Sequence, residues 1–271
     1  MNVSATLIFS GILLRLAKPE DAFYWFSEKL ALKGTCGSSG NVPAFMNHGR
    51  QAGKQLVLNC PGCPIYLEAS GQPLLIQTAA EGYYTGLSHI AFRSSDLNDS
   101  IRFLKERRAS LEHGDTISHN PGMDYINPVC PFGFGLEISR LTEKPAARMS
   151  APADGLDHIG IPVPDIKKSV SWYQTLGFSV SSYHETHRDS DNADILCAMV
   201  NGCGTTLELY EFSHMEHEPW TNQPFASLLF ETGHCRMFAR QLPAECIVHE
   251  DDYTLILKGP GGETLTVWQR S

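Results

Sequence analysis

Two histidines and two glutamates recur in this chain at matched spacing, and together they are the residue types that hold a divalent cation. His89 lies in GLSHIAFRSSDL (86–97) and His158 in GLDHIGIPVPDI (155–166), 69 residues apart, with glycine, leucine, histidine, isoleucine and aspartate at the same offsets. A glutamate in an apolar run follows each: Glu137 in FGLEIS, 48 residues after His89, and Glu208 in TLELYEF, 50 after His158. Side chains alternate along a strand, so Leu87, His89 and Ala91 share one face while Ser88, Ile90 and Phe92 share the other. A carboxylate in such a strand is costly to bury unless it is paired, hydrogen-bonded or bound to a metal. Taken singly, a strand histidine is most often a hydrogen-bonded core residue, and a glutamate between leucines faces solvent. The matched pairs point instead to His89, Glu137, His158 and Glu208 around one centre. Imidazole plus carboxylate suits Zn, Ni, Co, Mn or Fe(II), and these residues do not choose among them.

The elements that must position these residues repeat as well. Each histidine strand runs through a loop to an aspartate, Asp96 or Asp165, placed to cap a helix. The helices DLNDSIRFLKERRA and DIKKSVSWYQTLGF carry apolar residues at helical spacing: Leu97, Ile101 and Leu104 in one, Ile166, Val170 and Tyr173 in the other. The register extends outward in weaker form, to Ser227 and Thr266 in a last unit, and to Ser10 or Gly11 and Glu68 in a first. Four units result, at 5–72, 84–142, 153–212 and 220–271, with LTEKPAARMSAPADG as a linker between the central two. The linker divides the chain into halves, 1–142 and 153–271. Pairing the second unit with the third is favoured, because it alone puts both histidines at one centre. Pairing first with second would gather Glu68, His89 and Glu137, and leave His158 with Glu208 alone.

A chain of 271 residues with a formal net charge of -9 has no basic face for nucleic acid or an anionic membrane, so a small-molecule partner is expected. The 8 cysteines are spread out, which reads as a reducing compartment with buried thiols. Cys60 and Cys63 in CPGC are expected to form a turn before PIYLEAS, since zinc would want a second close pair. The apolar start SATLIFSGILLRLA lacks a positive leader and is interrupted by Arg15, so it is not expected to be a secretion signal. A cytoplasmic location follows, and a homodimer stays open. HETH (184–187) is read as surface, and HMEH (214–217) as a solvated loop near the Glu208 strand. Phe92, Trp172 and Tyr210 are expected in the core. Arg93 and Arg140 flank the ligand strands, poised either for an anionic substrate or for solvent-facing ion pairs.

DHIGIPVPDIKKSVSWYQTLGF with LELYE, SHIAF with LEIS, and GPGGETLTVW resemble the βαβββ module of the vicinal oxygen chelate superfamily, the glyoxalase, bleomycin resistance and extradiol dioxygenase group. The resemblance implies an α+β fold of four βαβββ modules in two cup-shaped mixed sheets with flanking helices. It also implies that two modules pair about a pseudo-twofold, each giving one ligand from its first strand and one from its last. Positions 89, 137, 158 and 208 match the four ligand positions of glyoxalase I-like members. The implied activity is a metal-dependent isomerase, lyase or epimerase working on a small oxygenated substrate through an enediolate, with Glu208 or Glu137 as the base and a slight preference for Glu208. The alternatives are an Fe(II) extradiol-type dioxygenase and a bleomycin-resistance-like binding protein without catalysis. Ser227 and Thr266 stand where the extradiol pattern needs a histidine and a glutamate, which counts against the first alternative.

Overall fold

A computed structural model describes residues 6–37, 55–70, 84–141, 153–188, 193–213, 218–219 and 225–270. The first module is β1 (Ile8–Leu16), α1 (Pro19–Lys29), β2 (Lys33–Gly37), β3 (Gln55–Cys60) and β4 (Cys63–Ala69). After the short β5 (Tyr84–Thr85), the second is β6 (His89–Arg93), α2 (Leu97–Glu106), β7 (Ser118–Asn120), β8 (Met123–Ile126) and β9 (Gly135–Leu141). The third is β10 (Leu156–Pro162), α3 (Ile166–Thr175), β11 (Ser179–Arg188), β12 (Ala193–Gly202) and β13 (Thr205–Phe212). Then come β14 (Glu218–Pro219) and the fourth module: β15 (Phe225–Thr232), α4 (Cys235–Ala239), β16 (Ile247–Glu250), β17 (Thr254–Lys258) and β18 (Thr264–Gln269). All four modules are therefore βαβββ, as the repeat predicts.

Two eight-stranded mixed sheets result, in the orders β16-β17-β18-β15-β1-β4-β3-β2 and β11-β12-β13-β10-β6-β9-β8-β7. In every module the first strand lies parallel to the last, and the first strands of two modules join antiparallel at the centre of each sheet. The second module thus shares a sheet with the third, and the first with the fourth. Each sheet takes one module from either side of the linker. Side-chain packing runs the other way, within each half: Phe26 of α1 stacks on Phe132 and Phe134 of the second module, and Tyr173 of α3 donates to Glu263 Oε1 of the fourth at 2.6 Å.

Helix α2 starts where Asp96 Oδ1 accepts from the amides of Asn98 and Asp99, and α3 where Asp165 Oδ1 accepts from that of Lys168. The Ile166 amide also donates to Glu211 Oε2 at 2.8 Å, which pins the start of α3 to β13. These helices bury Leu97, Ile101 and Leu104, and Ile166, Val170 and Tyr173, against one face of the sheet. Ile90, Ile159, Leu207 and Leu209 belong to the same core, and strand alternation leaves their neighbours for the opposite, concave face.

CPGC is a hairpin turn: Cys60 and Cys63 pair across it, Gly62 takes φ +79, and both thiols are buried and free. Ile8–Leu16 of the apolar start forms the central strand β1. Among the described residues no helix is long and apolar enough to cross a membrane. HMEH and most of the linker lie outside the described residues.

Candidate metal centre

Four donor atoms meet on the concave face of the sheet that joins the second and third modules. His89 Nε2 lies 3.3 Å from His158 Nε2 and 3.4 Å from Glu208 Oε2. His158 Nε2 lies 3.6 Å from Glu137 Oε1 and 3.6 Å from Glu208 Oε2. Four donors each about 2.1 Å from a shared cation, in tetrahedral directions, stand roughly 3.4 Å apart. The four separations match that spacing, and His89, Glu137 and His158 offer one atom each within 4.8 Å of one another, so a single cation fits among these three with Glu208 beside the two imidazoles. All four residues singled out by the repeat are brought together.

Strand register explains the meeting. Across the antiparallel β6–β10 seam, His158 faces Ala91 and His89 faces Gly160. In the parallel pairs, Ala91 is level with Glu137 and Gly160 with Glu208. Each histidine thus points over a small residue of the other module, toward the glutamate beside it. A Cβ on Gly160 would fall inside the His89 ring, and one on Gly135 would stand 2.8 Å from His89 Cβ. Gly160→Val is accordingly expected to evict the His89 ring and weaken cation binding while the fold survives. Titration with Co(II), beside a far-ultraviolet spectrum, checks this; unchanged affinity would mean that the ring does not need the slot.

The residue before each histidine sets its ring. Ser88 Oγ lies 3.2 Å from His89 Nδ1, and Asp157 Oδ2 lies 3.1 Å from His158 Nδ1, so both Nε2 atoms turn toward the centre. Neighbours on a regular strand point to opposite faces, but the β10 register slips between Leu156 and His158, which lets Asp157 reach the ring. Asp157 also accepts from Ser139 Oγ at 3.0 Å and from Arg93 Nε at 3.1 Å, so Arg93 serves an ion pair here. Arg140 pairs with Asp124. Sequence reasoning misses Ser88 and Asp157, although the repeat GL-S-H and GL-D-H carries the signal.

The electrostatics call for positive charge. Burial would raise Asp157, yet the hydrogen bonds from His158, Arg93 and Ser139 hold it at about 2. Burial lifts Glu137 to about 7, against the pull of the His158 and His89 rings. Glu208 goes down despite its burial, because the His89 hydrogen bond and both ring charges favour its anion. Burial would lower His158, but Asp157, Glu137 and Glu208 raise it to about 9. Without a cation, an imidazolium supplies the charge these carboxylates demand; a divalent cation would replace it. Glu137 Oε1 is buried and has no hydrogen-bond partner, an orphan acceptor that such a cation would satisfy. Removing the Asp157 carboxylate in Asp157→Ala is expected to weaken cation affinity about 10- to 100-fold, the usual cost of losing a group that orients a ligand. Calorimetric titration reads this, and affinity equal to wild type would show that the bond to His158 Nδ1 is dispensable.

The wall beside the cluster differs from the sequence reading in two places. Tyr210 is half-buried on the concave face, its hydroxyl 2.6 Å from Ser88 Oγ and its ring centroid 6.0 Å from that of His89; Phe92 is in the core as expected. HETH is not a loop but part of β11, so its residues alternate. His187 pairs with Asp194 at 2.7 Å, whereas His184 is half-buried and faces Glu208 and Cys197. The HExxH comparison tests for helical spacing and is blind to a period of two.

The other sheet shows the same positions without donors. Its seam sets Leu13 opposite Ser227, and Leu13 is level with Tyr66, so Gly11 and Tyr66 occupy the first module's histidine and glutamate positions. Glu68 is two residues further along, level with Arg15 and ion-paired to it at 3.3 Å. Tyr66 stands 71 residues before Glu137 rather than 69, so a count at the repeat's spacing lands on Glu68. Ser227 Oγ and Thr266 Oγ1 bond to each other at 2.8 Å, and Leu13, Tyr66, Leu229 and Trp268 pack into an apolar cluster.

Residues 155–243 match the model for the Glyoxalase/Bleomycin resistance protein/Dioxygenase superfamily. Among solved structures, glyoxalase I from Zea mays is 13% identical with a TM-score of 0.68, over 98% of this chain and 93% of that one. The family match spans the third module and the start of the fourth, and the likeness of fold runs the length of the chain. Two mutants of the Zea mays protein match similarly, at 15% and 14% identity with TM-scores of 0.68 and 0.67, over 98% of this chain and 93% and 94% of theirs. No curated protein matches the sequence. At such identities the likeness to these structures is one of fold, and the chemistry follows from the residues in the cup.

Proposed function

We propose that the protein is a metal-dependent glyoxalase-like isomerase, lyase or epimerase, acting on a small oxygenated substrate through an enediolate. The observation that carries this reading is the convergence of two imidazoles and two carboxylates at separations of 3.3 to 3.6 Å. His89, His158, Glu208 and Glu137 would hold a Zn, Ni, Co, Mn or Fe(II) ion. A bound cation supplies polarisation of a substrate carbonyl and stabilises the negative charge that develops on its oxygen.

The chain's own part is to move a proton. A base for carbon acid chemistry must leave its resting contacts, and the two glutamates differ in how tightly they are held. Glu208 Oε2 sits 3.4 and 3.6 Å from two imidazole nitrogens. Glu137 Oε1 lies 3.6 Å from His158 Nε2 and has no hydrogen bond, and burial already favours its protonated form. Glu137 is therefore the better base, reversing the slight preference drawn from the sequence. It takes the proton alpha to the carbonyl and returns it to the adjacent carbon, so the net change is an isomerisation that needs no oxidant. The His89 side chain is 17% exposed while that of His158 is fully buried, so substrate reaches the cluster from the His89 side. Four convergent donors, rather than a face of three with open positions, favour this non-redox chemistry over the dioxygenase alternative.

The test is metal analysis of untagged protein, followed by a hemithioacetal isomerisation assay after loading with Ni, Co or Zn. At least one divalent ion per chain and turnover with at least one of the three metals are expected. Inactivity with all three would remove the named reaction; absence of bound metal would remove the centre itself.

A further inference from the structure

We infer that the cup carries a second cation site beside the first, formed by His184, Cys197 and Glu208 and selective for a soft or borderline ion such as Zn or Cd. Strand pairing assembles it. His184 on β11 is directly opposite Cys197 on β12, and Cys197 is opposite Tyr210 on β13, two residues from Glu208 on the same face. A ring nitrogen, a thiol sulfur and a carboxylate oxygen from these residues lie within 4.8 Å of one another.

A second observation marks the place as built for a ligand. His184 Nε2 is buried and has no hydrogen-bond partner. A buried ring nitrogen left unpaired needs a compensating partner, and a cation is one. Cys197 is 4% exposed and outside any disulfide, so its sulfur is not consumed elsewhere. Glu208 turns Oε2 toward His89 and His158, and a carboxylate has a second oxygen to give, so it bridges the two sites. Tetrahedral N and S donors stand roughly 3.5 Å apart, so an arriving ion draws these side chains together by about 1 Å. The sulfur is what separates this site from its neighbour: thiolate selects softer ions, while the first site offers only imidazole and carboxylate. Binding converts the Cys197 thiol to thiolate and releases one proton to solvent, with no change of oxidation state.

The inference rests on the metal-centre reading only through the shared Glu208. Its test is titration of the full chain with Cd(II) after chelator treatment, following heat and the ultraviolet thiolate-to-cadmium absorption together. Wild type is expected to take two equivalents, one of them with the thiolate band. Cys197→Ser should leave one equivalent and no band, and His184→Gln should weaken the band-bearing equivalent at least about tenfold, in line with the loss of a metal-supporting group. His158→Ala should keep the band while losing the other equivalent. Far-ultraviolet spectra of each variant confirm folding. A single equivalent without a thiolate band, or a band that survives Cys197→Ser, overturns the second site. Two equivalents that both survive His158→Ala, with the band still tied to Cys197, would instead sink the four-donor centre and leave this one standing.

Discussion

His158→Ala is expected to strip the divalent ion from the four-donor centre and abolish turnover. Its Nε2 is within 3.6 Å of donor atoms from each of His89, Glu137 and Glu208, a position none of the other three is seen to share. Four-donor protein zinc sites are worth about 10–16 kcal/mol, so one donor's share is about 3 kcal/mol, or roughly two orders of magnitude in affinity. The true loss should be larger. The same substitution removes the only residue that links Asp157 to the cluster, and leaves Glu137 and Glu208 buried at 7% exposure each with less positive charge nearby. Elemental analysis after gel filtration, with a thermal melt to confirm folding, checks the expectation. Metal content equal to that of wild type in this variant would refute the centre.

Glu137→Gln should separate binding from chemistry. The amide keeps a carbonyl oxygen to offer the cation but cannot accept a proton from carbon, so metal content should hold while kcat falls about 10²- to 10⁴-fold, the usual worth of a positioned base. Glu208→Gln should show the opposite balance. Its Oε2 meets both imidazoles, so metal affinity should fall more and turnover at saturating metal less. Measuring kcat and metal content for both variants decides the assignment. If Glu208→Gln keeps its metal and loses turnover while Glu137→Gln stays active, the two roles are exchanged.

Much of this arrangement is legible in the residues alone. Asp96 and Asp165 announce their helices because a side-chain cap is a local interaction, made within three residues. His89, Glu137, His158 and Glu208 stand out because both modules keep the same internal length. Other features are hidden for identifiable reasons. Counting along the chain puts Glu68 two residues off because the connection between the first two modules is two residues longer than the repeat's spacing, and a loop can change length without disturbing the strands it joins. His184 reads as part of a polar loop because its neighbours are polar on both faces, whereas the structure puts it on a ten-residue strand with His184 and Thr186 half-buried and the other face in solvent. Asp157 reads as one more polar residue, since only the slip beside it turns its carboxylate to His158.

What the sequence determined by itself is therefore what neighbouring residues decide: four βαβββ units, their capped helices, and strands with a donor on one face and apolar side chains on the other. Which units share a sheet was favoured by the two histidines but not decided by them. The spacing from each histidine to its glutamate is the same whether the second module pairs with the third or with the first, and backbone hydrogen bonds across a seam are alike for every partner. Only the tertiary structure chose, by setting Ala91 and Gly160 opposite the two histidines so that both rings fit over one seam. Once that seam exists, four buried groups too costly to leave alone stand within reach of a single cation.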